Sequence, residues 1–495
     1  MGPYEQLTAH FARHEVLTGI SGALGWDQQT YLPAAGGPGR GEQMAILTGL
    51  SHELVVDDRV LGWLRAVQEE GGDDPLRLAA CRNIGRAVHR SRALPVELVQ
   101  RRAQVTSDGF THWMAAREAN DFGRFAPALD EILAIEREVA ERIDPDRPGY
   151  DVMLEAFDPG TTAAQLRPIF HRLGEGLGQL LAALDERPSP PTLAAEVAPD
   201  EQLAWHRRLI DRLGYDRAAG RLDLAEHPFT VRAGPRDVRI TTRVQRDDLL
   251  GGLGGTVHEA GHAMYEQGLP SLPGTMVGEA ASLGLHESQS RFWENVIGRS
   301  RPFLTWAAQE LHDIVGADAP DAESLVRGAL RVQRSLRRVE ADEVTYNLHV
   351  LVRFELEQAL VDGSLAVADL EEAWNEGYRK HLGVVPANPR DGVLQDVHWS
   401  GGTFGYFPSY TLGNLYAASL GVAVQEAVPS LWHDVGRGDF TGVLGWLREQ
   451  VHQHGHLFDA PELLARVVGP RDHVEDLLDY LWSRYGAAHG VQRPG

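Results

Sequence analysis

Cysteine is nearly missing from this chain. Its 495 residues include one, Cys81, so no intramolecular disulfide can form and thiolates cannot build a metal cage. Any metal site must draw on His, Asp and Glu. Basic residues are also scarce: 47 Lys and Arg stand against 70 Asp and Glu, a formal net charge of −23. Proteins that bind nucleic acid or anionic lipid concentrate Lys and Arg, so nucleic acid is excluded as the main partner and a membrane surface is disfavoured. No run of about 18 apolar residues occurs, which argues against a transmembrane helix. The N-terminal "MGPYEQLTAHFARHEV" has no basic stretch leading into an apolar one, so no signal peptide is read there. With 43% hydrophobic and 24% charged residues, the expectation is a soluble, cytoplasmic globular protein.

Most of what is there reads as helix. The stretches Glu97–Ile143 and Asp321–Gly363 carry apolar residues at three- and four-residue spacing with charge between them. Breaks fall at Leu32–Gly41, Glu186–Thr192 and Gly383–Gly392, all rich in Gly or Pro. The main candidate for sheet is "HPFTVRAGPRDVRITTRV" (His227–Val244), in which Val238, Ile240 and Thr242 alternate with Arg239, Thr241 and Arg243. The fold class is therefore mainly α, with a small β-sheet just upstream of the most informative motif.

That motif is "TVHEAGHAMYEQG", Thr256–Gly268. A helix is predicted from Asp247 or Asp248 to Gly268, although its glycines cost about 1 kcal/mol each relative to Ala; close packing against another backbone would offset this. On a helix His258 and His262 are i and i+4, so both rings leave one face and can bind one Zn²⁺ through neutral imidazole nitrogens. Glu259, beside the first ligand, can take a proton from the attacking water and pass it to the leaving amine. A catalytic zinc usually has a third protein ligand. No further His follows at the extended spacing, since Gly268 stands there, so a carboxylate from "GEAASLGLHESQSRFWENVIG" is expected. Glu279, Glu287 and Glu294 are the choices, and Glu287 is favoured. Glu279 is expected to orient a ligand histidine. The metal is Zn²⁺ by default, and Co²⁺ suits the same donors.

Five segments now stand in a telling order: "DVRIT" (Asp237–Thr241), "HEAGH", "HESQ" (His286–Gln289), "RRVEAD" (Arg337–Asp342) and "GVLQDVHW" (Gly392–Trp399). With "WDQQTYLP" and "FGYFPSYTLGN" they make the whole chain resemble the carboxypeptidase Taq family of zinc metallocarboxypeptidases. The resemblance implies metal ligands His258, His262 and Glu287, with Glu259 as general acid/base. It implies a two-lobed helical metallopeptidase with a long deep groove and the metal at its base. It also implies a homodimer that removes C-terminal residues with broad specificity. A single catalytic domain over 1–495 is expected, its lobes divided near 186–192 and its active-site motifs within 237–410. Two departures stand out. Arg337 replaces the family's usual Ile, and the loop before Glu287, around "LPSLPG", looks one residue short.

A metal centre does not choose between exo- and endopeptidase. A carboxypeptidase must grip a free α-carboxylate, and a guanidinium does so with two parallel hydrogen bonds. Arg338 is the first candidate and Arg239 the second; the competing reading is an ion pair with Asp342 or Asp237 in the same motif. Tyr410 is the candidate donor to the developing oxyanion, with Tyr406 and His398 behind it, and Gln395, Asp396, His398 and Trp399 are expected to close the groove. The small sheet offers an edge for substrate backbone. The leading expectation is a carboxypeptidase acting on peptides with a free C-terminus. The alternatives are an endo-acting oligopeptidase with the same centre and a non-catalytic zinc scaffold.

Overall fold

The computed structural model describes residues 1–187 and 189–494. Helices dominate, and the strands form one small sheet. Among the described residues no helix is long and apolar enough to cross a membrane. The first helix, α1 (Pro3–Thr30), starts with Pro at a first-turn position, where its missing N–H costs nothing. It buries Leu7 and Phe11 in a cluster with Val60, Ile84 and Val88.

The stretch read as one helix over Glu97–Ile143 is two, α2 (Val96–Ala119) and α3 (Ala126–Ile143). Asn120 ends the first with φ 55°, a left-handed turn that Asn tolerates better than most residues.

The predicted hairpin is present as β2 (Thr230–Gly234) and β3 (Asp237–Thr242), paired antiparallel, with Thr230 opposite Ile240 and Val231 opposite Arg239. A third strand, β1 (Leu222–Leu224), joins β3 in parallel, giving the order β1–β3–β2; three residues are too few to carry a visible period. Val238 and Ile240 are buried as the alternation predicts. Thr241, expected on the outer face, is buried too, because its hydroxyl accepts from the Phe229 N–H at 2.9 Å while its own N–H donates to the Phe229 carbonyl at 2.9 Å. Edge strand β2 is partly covered. A Cβ on Gly22 or Gly19 of α1 would lie 2.8 Å from the Arg232 carbonyl or 2.6 Å from that of Ala233. Substrate backbone therefore cannot add along that half of the edge.

The motif helix α4 (Leu249–Gly268) is capped by Asp248, which accepts from the Gly251 N–H at 3.0 Å. Close backbone packing explains Gly261: a Cβ there would sit 2.8 Å from the Gln289 carbonyl of α5 (Leu283–Arg291). At Gly254 and Gly255 the neighbours are side chains at 3.8 and 3.5 Å, so the same explanation does not extend to them. After α5 the chain widens into a π-helical turn, Phe292–Ile297.

The second long helical reading, Asp321–Gly363, also needs correction. It forms α6 (Ala322–Ala329) and α7 (Glu343–Asp362), with residues 330–342 mostly irregular between them. Asp342 starts α7 by accepting from the Val344 and Thr345 N–H groups, and Gly363 ends it with φ 83°. The last helix needed here, α8 (Pro408–Ala427), carries Tyr410.

The chain divides into two compact units, each assembled from three separate segments. One comprises Met1–Ser91, Pro191–Ala329 and Tyr416–Arg471; the other comprises Arg92–Pro190, Leu330–Leu415 and Asp472–Gly495. The passage at Pro190–Pro191 falls inside the predicted break Glu186–Thr192, of which Pro188 lies outside the described residues. Trp205, Tyr265, Trp293 and Phe303 fill the first unit's core; Phe125, Phe170, Trp374 and Tyr378 fill the second's.

Candidate metal centre

The i, i+4 spacing brings the His258 and His262 rings to 4.8 Å between centroids on one face of α4. Opposite them, Glu287 of α5 places Oε2 3.8 Å from His258 Nε2 and 3.4 Å from His262 Nε2. Among the described residues this is the one group of three His, Cys, Asp or Glu side chains whose donor atoms all lie within 4.8 Å of one another. Burial works against ionised Glu287, but Arg291, His258 and His262 outweigh it and hold the carboxyl well below its ordinary range. The Arg291 guanidinium donates to Glu287 Oε1 at 2.7 Å and leaves Oε2 facing the histidines.

Hydrogen bonds on the far sides of both rings set their tautomers. Glu294, carried by the π-helical turn, sits 2.8 Å from His258 Nδ1. Despite burial, Arg291 and His258 keep its carboxyl down at about 2, so it accepts and His258 keeps its proton on Nδ1. His262 Nδ1 lies 2.6 Å from Nδ1 of His286, whose Nε2 lies 2.9 Å from Glu266 Oε1. Glu266 is also held below its ordinary range, His286 outweighing burial. An ionised Glu266 accepts a hydrogen bond from His286 Nε2–H, which leaves His286 Nδ1 to accept from His262. Burial lowers the His258 pKa but Glu287 and Glu294 raise it on balance, so a metal ion binding there would displace an Nε2 proton, and each ring would then present an Nε2 lone pair beside Glu287. Two neutral imidazoles and one carboxylate suit a borderline divalent cation such as Zn²⁺.

Glu279, expected to orient a ligand histidine, reaches neither; Glu294 and His286 make those contacts. Burial and the nearby Glu15 instead push the Glu279 carboxyl up to about 7. Glu259 is buried, which raises its carboxyl above the ordinary range. Its Oε2 takes a 2.5 Å contact from the Thr230 hydroxyl of β2.

Arg239 donates to both carboxylate oxygens of Asp237, at 2.8 and 2.6 Å, and lies over the Trp26 ring at 4.4 Å. Its fork is thus engaged within its own motif.

The remaining predicted site residues lie in the second unit. Arg338 is buried and pairs with Asp396 rather than with Asp342: its Nε and Nη2 donate to Asp396 Oδ1 at 3.2 and 3.0 Å, and Nη1 donates to the Tyr346 hydroxyl. Asp342 is occupied in capping α7. Fully buried Arg353 takes the other oxygen of Asp396 at 2.6 Å. Two guanidiniums therefore share one carboxylate. Gln395 supports them by accepting from the Arg338 N–H and donating to the Leu336 carbonyl and the Tyr378 hydroxyl. Tyr410 presents its ring 4.8 Å from the Arg338 guanidinium and packs on Tyr406 at 5.3 Å. His398 packs on Tyr406 and Phe407, and burial lowers its pKa to about 4, so it is neutral near pH 7. The unusual Arg337 lies partly exposed and pairs with Asp391 at 2.9 Å and Glu340 at 3.1 Å. It extends to the surface and leaves the apolar interior undisturbed.

Sequence reasoning missed Glu266, His286, Arg291, Thr230 and Arg353. Only the last of Glu287-x₃-Arg291-x₂-Glu294 was weighed for another role; the i+4 and i+7 spacing from Glu287 was the available signal for that face.

A family model described as carboxypeptidase Taq (M32) metallopeptidase matches residues 6–485. Thermostable carboxypeptidase 1 of Thermus thermophilus is 42% identical, with 98% of this chain and 99% of the relative aligned. The crystal structure of an M32 carboxypeptidase from Deinococcus radiodurans R1 superposes with a TM-score of 0.94 at 38% identity, covering 99% of this chain and 100% of that one. A Pyrococcus furiosus carboxypeptidase gives 0.95 at 31% identity, covering 98% and 99%.

Proposed function

This chain belongs to the carboxypeptidase Taq (M32) metallopeptidase family and is a metal-dependent carboxypeptidase, and from that premise we propose that its metal is Zn²⁺, held by His258, His262 and Glu287, with Glu259 as the general acid/base. Co²⁺ fits the same donors. The observation that carries the reading is the convergence of both Nε2 atoms on Glu287 Oε2, at 3.8 and 3.4 Å. Bound there, Zn²⁺ supplies Lewis acidity toward water and the scissile carbonyl. Glu259 takes the proton of the attacking water as the new C–O bond forms, then gives it to the amide nitrogen as the C–N bond breaks. A buried carboxyl with a raised pKa suits both halves of that transfer near neutral pH.

Arg338 is proposed to hold the substrate's α-carboxylate. Support comes from charge: Arg338 and Arg353 set two buried cations against Asp396, leaving an excess positive charge for an incoming anion. Arg239, already forked to Asp237, is the weaker candidate. The Tyr410 hydroxyl is proposed to donate to the developing oxyanion, while Tyr406, His398 and Gln395 shape the surroundings of Arg338. Substrates are then peptides with a free C-terminus. The whole chain is proposed to act as one catalytic domain, since neither compact unit is a continuous segment. A homodimer is proposed with support from exposed Val16 and Ile20, one turn apart on α1. A cytoplasmic setting is proposed for a chain whose one cysteine is a free thiol.

One peptide, digested in free-acid and amidated forms with and without chelator, tests the reading by mass spectrometry. Successive loss of C-terminal residues is expected from the free acid alone, and only without chelator. Internal cleavage of the amidated form would favour an oligopeptidase instead. A second expected result concerns Glu294→Gln, which keeps an acceptor for His258 but loses the charge. Zn²⁺ affinity, measured by competition with a chromogenic chelator, should fall about 10- to 100-fold.

A further inference from the structure

The "DVRIT" motif has no role yet beyond the Asp237–Arg239 ion pair. Its threonine, Thr241, locks Phe229 from both sides through the Phe229 N–H and carbonyl. This fixes the next residue, Thr230, at the start of β2. Thr230 is half-buried, and its side chain crosses to α4, where Oγ1 lies 2.5 Å from Glu259 Oε2 and 3.1 Å from the Glu259 carbonyl oxygen.

We propose that Thr230 is a positioning residue for the proton-carrying carboxylate, holding Glu259 through a hydroxyl that donates to Oε2 whether or not the other carboxyl oxygen carries the proton. The inference rests on the reading of Glu259 given above. A hydroxyl has one proton and two lone pairs, and here it faces two oxygens of the same residue. While Glu259 is a carboxylate, Thr230 donates to Oε2. While Glu259 carries the proton in transit on Oε1, Oε2 is the carbonyl oxygen of the acid and still accepts from the hydroxyl. The contact is kept in both states, so the carboxyl need not swing between accepting a proton and delivering it. A side chain lacking the hydroxyl would leave Glu259 free to rotate about its last bond, and misplacement of about 1 Å at a reacting group can cost about a hundredfold in rate. Val231 and Arg232 cannot substitute: the Val231 side chain has no polar atom, and Arg232 turns to the Gly278 carbonyl at 2.8 Å.

The test compares Thr230→Val, Thr230→Ser, Glu259→Gln and the double variant Thr230→Val/Glu259→Gln in the full chain. Valine keeps the β-branched shape and removes the hydroxyl. Thr230→Val is expected to lower kcat about ten- to hundredfold, with KM within about twofold and Zn²⁺ affinity unchanged. Thr230→Ser should recover most of kcat, and the double variant should be no slower than Glu259→Gln alone. Full kcat in Thr230→Val beside an inactive Glu259→Gln would overturn the assignment of Thr230 alone. So would equal losses in the Val and Ser variants, or a fall in Zn²⁺ affinity that tracks the loss of kcat. Undiminished hydrolysis by Glu259→Gln would instead overturn the reading of Glu259 on which this rests.

Discussion

Glu259→Gln is expected to keep its metal and lose hydrolysis by about 10²- to 10⁴-fold, the usual contribution of a positioned general acid/base. The substitution is nearly isosteric. Glutamine still offers an oxygen to the Thr230 hydroxyl, and Glu259 is not among the three side chains whose donor atoms converge. Burial already disfavours the charged form of Glu259, so the neutral amide should not destabilise the fold. Metal content, thermal midpoint and kcat measured on one sample separate these effects. Retained metal and an unchanged midpoint with a large loss of kcat is the expected pattern; unchanged kcat would refute the proposed shuttle.

The largest loss of stability is expected from Asp396→Asn. The carboxylate is the shared partner of Arg338 and Arg353, and all three side chains are almost fully buried. Removing one partner from a buried ion pair strands charge in a poorly solvated interior, at a cost of about 3–5 kcal/mol. Burial alone would raise the Asp396 carboxyl, but Arg353 and Arg338 hold it far below the ordinary carboxylate range. The sign follows. A lowered pKa contributes stability that is complete above the unfolded value of about 3.9 and is lost as pH falls below it. The difference in denaturation midpoint between wild type and variant should therefore be constant near neutral pH and narrow below about pH 4. A pH-independent difference would assign the stabilisation to shape rather than charge.

Local spacing made part of the centre legible. His258, Glu259 and His262 need only an i, i+4 helix, and Glu287 was one of three glutamates within a short stretch. Glu294 was in view as a ligand, but its place behind His258 depends on a π-helical turn that no apolar period announces. Arg338 was paired by proximity in sequence with Asp342. The structure pairs it with Asp396, 58 residues later, while Asp342 obeys the short-range preference of an acidic side chain for a helix start. The helix boundaries at Asn120 and Asp342 were lost for a related reason: amphipathic spacing continued across both, while Asn120 ends one helix and Asp342 starts another. Thr230 reaches Glu259 from 29 residues away through a strand pairing, a relation periodicity does not encode.

The three-segment construction of the first unit has a consequence for synthesis. Gln289, two residues beyond Glu287, is held by His452 Nε2 at 3.0 Å, a partner 163 residues further along the chain. At translation speeds of about 5–20 residues per second, the ribosome needs roughly ten to thirty seconds to deliver it. During that interval the histidine pair and its glutamate have been made, but the residue bracing α5 from behind has not. An early encounter with metal would therefore meet a nascent chain whose second helix lacks this brace, so the order of synthesis places the finished centre late in the life of the nascent chain.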